Sequence, residues 1–130
     1  MEACLADDKP GRDLVAALAP KADDYFVLKP MHSGFMSTTL KLLLDHLASH
    51  TLVIAGFATN ICVMFTANDA HMHGFRVAVP SDCTAANDDA MTAMALEHVR
   101  VVLAADTCPS AEVDFAVLAR LAPKERRAGV

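Results

Sequence analysis

Residues 51–74, TLVIAGFATNICVMFTANDAHMHG, limit the possible folds more than any other stretch of the chain. An aliphatic, β-branched run, Thr51 to Ala55, breaks at Gly56-Phe57-Ala58-Thr59-Asn60 and continues with helical spacing from Ile61. A strand, a tight turn and a helix thus follow one another within 24 residues. Cys62 stands where the helix begins. Free backbone N–H groups and the positive end of the helix dipole favour negative charge at such a position, so a thiol ionises most easily there. Cys62 is therefore the candidate nucleophile.

The flanking sequence supplies more elements of the same kind. LVAALAP, residues 14–20, reads as a short helix capped by Asp13 and stopped at Pro20. Tyr25–Leu28 reads as a strand ended by Lys29-Pro30. Leu40, Leu43, Leu44 and Leu47 recur at i, i+3, i+4 and i+7, one apolar helix face. Gly74 fits a helix C-terminal cap. Phe75–Val79 is a buried-type strand, and Asn87 or Asp88 caps a helix whose Met91, Met94, Ala95 and His98 share a face. Val99–Ala104 reads as a continuous apolar strand. Ser110 is expected to cap a last helix, with Glu112 and Asp114 in its first turn.

Strands separated by helices of this length predict βαβ units with right-handed crossovers. Strands apolar throughout, rather than alternating, suit a parallel sheet covered by helices on both faces. The expected class is three-layer α/β, with sites at the C-terminal ends of the strands. One domain, residues 1–130, accounts for the length, and a hydrophobic content of 54% excludes a disordered chain. The net charge of −5 argues against a nucleic-acid partner, and Lys124, Arg126 and Arg127 read as a solvated tail. The longest apolar run, broken by Gly56 and Asn60, is too short for a membrane span. Four cysteines without a CxxC pair and without a visible signal peptide predict a reducing, cytoplasmic setting.

Lys29, after the first strand, and Cys62, after the next, both fall where such a fold places its chemistry. A lysine ammonium beside a cysteine stabilises the thiolate, and the turn before Cys62 offers N–H donors for an oxyanion. Spacing alone favours a plainer account, in which Cys62 is a small core residue and Lys29 is simply exposed.

The residues themselves point further. Lys29-Pro30-Met31-His32-Ser33-Gly34-Phe35, with Thr38 and Leu40, resembles the lysine segment of the isochorismatase-like cysteine hydrolases, the nicotinamidase- and isochorismatase-related family. Gly56-Phe57-Ala58-Thr59-Asn60-Ile61-Cys62-Val63, then Thr66-Ala67 and Asp69-Ala70, resembles that family's nucleophile segment. Gly74, Arg76-Val77 and Asp82 continue the match, which runs from about Gly11 to Thr107. The resemblance implies a Rossmann-like sheet of order 3-2-1-4-5-6. It also implies that Cys62 attacks the carbonyl carbon of a small-molecule amide to form an acyl-enzyme. Lys29 would hold the thiolate, backbone N–H groups of Ala58 and Cys62 would form the oxyanion hole, and the Phe57–Ala58 peptide bond would be cis. No cofactor or metal is implied, and a homo-oligomer is expected.

One part of the family pattern is missing. The catalytic aspartate of the family follows its first strand in a segment resembling Asp-Met-Gln-Asn-Asp-Phe, and this sequence has none. Asp7, Asp8 and Asp13 follow no hydrophobic strand and are not substitutes. The chain resembles strands 3 to 6, so a βαβ unit of about 30 residues or more is lacking at the N-terminus. A truncated gene model, a fragment, or a short variant completed by another chain would each account for this. Two functions follow: a cysteine hydrolase, or an inactive interaction module that keeps the scaffold without the aspartate.

Other candidates are weaker. His71 and His73, at i and i+2, point to different sides of a helix and make a poor metal pair; His46, His50 and His98 read as surface or helix-end residues. Cys83 reads as structural, with pocket lining as the alternative, and Met64, Met72, Met91 and Met94 as helix packing.

Overall fold

A computed structural model of the chain describes residues 11–121. Its elements run α1 (Arg12–Ala17), α2 (Leu40–His46), β1 (Thr51–Val53), β2 (Gly56–Phe57), α3 (Met64–Met72), β3 (Arg76–Ala78), β4 (Thr84–Ala85), α4 (Asp89–Val102) and α5 (Phe115–Arg120). β1 pairs in parallel with β3, aligning Leu52 with Val77, and β2 pairs in parallel with β4, aligning Gly56 with Thr84. A parallel bridge from Ala78 to Asp106 extends the far side of β3. Each parallel pair is joined through α3, as βαβ connectivity requires. The class is α/β, as the sequence predicts.

The core forms around α3, which packs against both β3 and α4. Ala67, Ala70, Ala78, Val79 and Ala95 are fully buried, and Val63, Phe75, Val77, Val99 and Leu103 nearly so. Alanines at the helix contacts let the helix backbones come close to the sheet, and the valines and Phe75 fill the space between. α3 closes at Gly74, whose φ of +87° suits glycine, with Phe75 N–H donating to Ala70 O at 3.0 Å. Asp88 caps α4 through its carboxylate, which accepts from Met91 N–H at 2.7 Å.

Several expectations are corrected. Residues 99–102 of the expected strand Val99–Ala104 are the last turn of α4. Ala95, Val99 and Leu103 lie at i, i+4 and i+8 and are all buried, so the helical period runs straight through the apolar run. Among the described residues Tyr25–Leu28 joins no ladder, leaving Tyr25 63%, Phe26 71% and Leu28 92% exposed. An apolar run becomes a strand only beside a partner that takes its N–H and C=O groups. The run Thr51–Ala55 is shorter than expected, with β1 ending at Val53. α1 is capped by Gly11, at φ +82°, with Asp13 in its first turn, and it stops at Ala17. α5 is capped by Asp114, which accepts from Val117 N–H at 2.9 Å; Ser110 instead opens a single 3₁₀ turn. Met72, Met91 and Met94 are largely exposed, while Met64 packs on the core. His98 is half-buried, not at the surface, and bonds Asn68 Oδ1 at 3.2 Å, linking α4 to α3. Asp7 and Asp8 lie outside the described residues.

Candidate active site

Between β2 and α3 the chain makes one wide, π-type helical turn, Thr59–Val63, so the helix around Cys62 opens more loosely than the expected start at Ile61. The Phe57–Ala58 peptide bond is cis. Ala58 itself is extended, at φ −93° and ψ 145°, and its carbonyl accepts from both Ile61 and Val63 N–H at 3.2 Å. Phe57 is 74% exposed, whereas Thr59 and Val63, on either side of Cys62, are buried. The turn is thus anchored at both ends, and Cys62 sits half-buried between the anchors.

Lys29 reaches this turn from the extended segment before it. Its Nζ donates to Met31 O at 2.7 Å and lies 3.4 Å from Cys62 Sγ, bringing together residues 33 positions apart. The Met31 carbonyl fixes the ammonium, and the ammonium's charge is complementary to a thiolate. A second tether holds the same loop to the same helix: Gly34 N–H donates to Thr66 Oγ1 at 2.9 Å. A Cβ on Gly34 would meet Leu40 Cδ2 at 3.1 Å and Thr66 Cγ2 at 3.3 Å, so glycine is what permits this approach. Buried Ser33 accepts from Phe35 N–H, and Thr38 Oγ1 donates to Gly34 O, shaping the loop from within.

One residue at the site, Thr84, escaped the sequence reading. Thr84 Oγ1 donates to Gly56 O at 2.8 Å and lies 2.8 Å from Thr59 Oγ1, both hydroxyls being buried. A threonine in a two-residue strand carries no local mark of such a role. The nearest signal was the position of Thr84, just past the strand end that Asp82 marks.

The other thiols have different surroundings. Cys83 is exposed beside Asp82 and lines an open, largely apolar cavity of about 660 Å³ with Leu14, Leu18 and Phe57. The Asp106 carboxylate pushes the Cys108 thiol up from its ordinary range. Among the described residues, no group of three or more His, Cys, Asp or Glu side chains is arranged to hold a metal ion, and no helix is long and apolar enough to cross a membrane.

Known proteins similar to this chain identify its family. The isochorismatase domain profile matches residues 1–115. An uncharacterised isochorismatase family protein of Bacillus subtilis is 43% identical over 95 residues, covering 73% of this chain and 52% of that protein. A ureidoacrylate amidohydrolase of Serratia proteamaculans is 42% identical over 72 residues, covering 55% of this chain and 29% of that protein. An isochorismatase family protein from Desulfovibrio vulgaris superposes with a TM-score of 0.75 at 28% identity, over 87% of this chain and 58% of that structure. The chain thus spans about half the length of the first relative and less of the second. Fold, family profile and sequence agree: the chain belongs to the isochorismatase family.

Proposed function

We propose that this chain carries the nucleophile half of a cysteine hydrolase acting on a small-molecule amide. The placement of Lys29 Nζ 3.4 Å from Cys62 Sγ carries the reading, since it brings the lysine segment onto the turn that follows β2. The Cys62 thiolate attacks the carbonyl carbon, forming a C–S bond; the C–N bond then breaks and the amine leaves carrying the proton that the thiol gave up. Water hydrolyses the thioester, giving the acid and restoring the thiol. Backbone N–H groups of Ala58 and Cys62 are the proposed oxyanion donors, at the turn that the cis bond shapes. The amidohydrolase among the relatives supports a C–N bond as the target.

The test is a panel of small primary amides and carbamoylated amines, read by release of ammonia and by the mass of an acyl group on Cys62. Acylation lost in Cys62→Ala is the expected result. An equal signal in that variant overturns the reading.

A second reading is favoured by a specific observation. Among the described residues, no carboxylate is hydrogen-bonded to Cys62 or Lys29. Loss of a general base typically costs on the order of 10²–10⁴ in rate. On this reading the chain alone is a scaffold or interaction module with little turnover. Sustained ammonia release by the isolated chain, dependent on Cys62, excludes it.

A further inference from the structure

Behind the cysteine lies a buried pair of hydroxyls that the hydrolase reading does not use. Thr59 is 1% and Thr84 9% exposed. Thr84 Oγ1 has one proton, and it goes to Gly56 O, which can only accept. The 2.8 Å contact between the hydroxyls must therefore be donated by Thr59. The result is a directed chain, Thr59 O–H to Thr84 O–H to Gly56 C=O. It brackets the turn: Gly56 precedes the cis peptide bond, and Thr59 follows it and opens the helical turn that contains Cys62.

Nothing else described spans the turn in this way. β2 and β4 are two residues each, and the main chain adds Gly56 N–H to Cys83 O at 3.0 Å. Gly56 sits at φ +113° with open space where a Cβ would be, so its backbone angle, not crowding, requires glycine. A glycine leaves the backbone there free to rotate, and the hydroxyl chain closes off that freedom.

We propose that Thr84 is a positioning residue: through Thr59 and Gly56 O, its hydroxyl fixes the turn that sets Cys62 Sγ against the Lys29 ammonium. The inference rests on the hydrolase reading of Cys62. Its role is indirect, since Thr84 touches neither the thiol nor the amine.

The experiment follows alkylation of each cysteine by iodoacetamide at neutral pH, using peptide mass spectrometry, with Cys108 as internal reference and thermal unfolding as a check on folding. Thr84→Val keeps the shape and removes the hydroxyl; it is expected to slow Cys62 at least tenfold and leave Cys108 unchanged. Thr84→Ser restores the hydroxyl and is expected to restore the rate to within threefold. Thr59→Val removes the donor and leaves Thr84 bonded to Gly56, so a smaller loss is expected; it also serves if Thr84→Val does not fold. In a Lys29→Met background, Thr84→Val is expected to add nothing, because the ammonium it acts through is gone.

An unchanged Cys62 rate in a folded Thr84→Val chain overturns the proposal. So does failure of Thr84→Ser to rescue, or a further loss in the Lys29→Met background, which marks a general structural role. The hydrolase reading fails in a different arm: Cys62 in the unaltered chain reacts no faster than Cys108, or is indifferent to Lys29→Met. That result removes the basis of the proposal as well.

Discussion

Tyr25–Leu28 and Phe75–Val79 are both short runs that read as strands, and they end in opposite circumstances. The second contains β3, which lies in a parallel ladder with β1, bridges to Asp106 on its other side and packs against α3; Ala78 and Val79 are fully buried. Among the described residues the first has no ladder partner, and three of its four side chains are mostly in water. Composition does not separate them. What differs is whether other strands and helices take up the backbone groups and side chains, so the chain's stability is concentrated around β3 while its lysine is delivered by an unsupported arm.

The sharpest way to break this contrast is to place a carboxylate in each run. Val79→Asp puts a charge where there is no water, and a loss of about 4 kcal/mol or more is expected. Leu28→Asp, at a side chain 92% exposed, is expected to change stability by less than about 0.5 kcal/mol. Urea unfolding of both variants decides it, and equal losses would show that Tyr25–Leu28 is also packed in solution. A smaller effect is expected at the cap of α4, the helix that packs against α3. Asp88→Ala removes the acceptor of Met91 N–H and should cost about 1 kcal/mol by thermal unfolding. No change would mean that packing alone fixes where α4 starts.

The smallest effect concerns acid. Asp82, beyond the end of β3, accepts from Ser110 Oγ at 2.8 Å and Ser110 N–H at 2.7 Å, and these bonds hold its carboxyl below the ordinary 3.8. A depressed folded-state value stabilises the fold above pH about 3.8, and that contribution is lost as pH falls through the lower folded value. Ser110→Ala is expected to flatten the acid side of the stability profile and leave neutral pH nearly unchanged. An unaltered acid limb would show that the pair adds nothing, as its full exposure to solvent allows.

The same contrast explains what could be read from the sequence. Cys62 and Gly74 were legible because strand-to-helix turns and helix ends leave local marks, and Lys29 because its segment carries a family resemblance. Val99–Ala104 was misread because a short apolar run fits a buried strand and a helix equally well; only the burial of Ala95, Val99 and Leu103 together resolves it. The cap moved from Ser110 to Asp114 because either side chain suits the position and the Asp82 contact claims the serine. Thr84 was invisible because its role depends on Gly56, 28 residues away, a pairing that only the ladder between β2 and β4 creates.

The two tethers of the lysine loop end on Cys62 and Thr66, four residues apart. Four residues make about one turn of a helix, so both anchors lie near one face. The loop therefore reads the angular phase of the π-type turn against that of α3. Inserting or deleting one residue between them would turn one anchor away while the other stayed, and no sliding of the loop could recover both. Substitutions in this interval alter strength, whereas a change of length alters phase, and the site tolerates only the first.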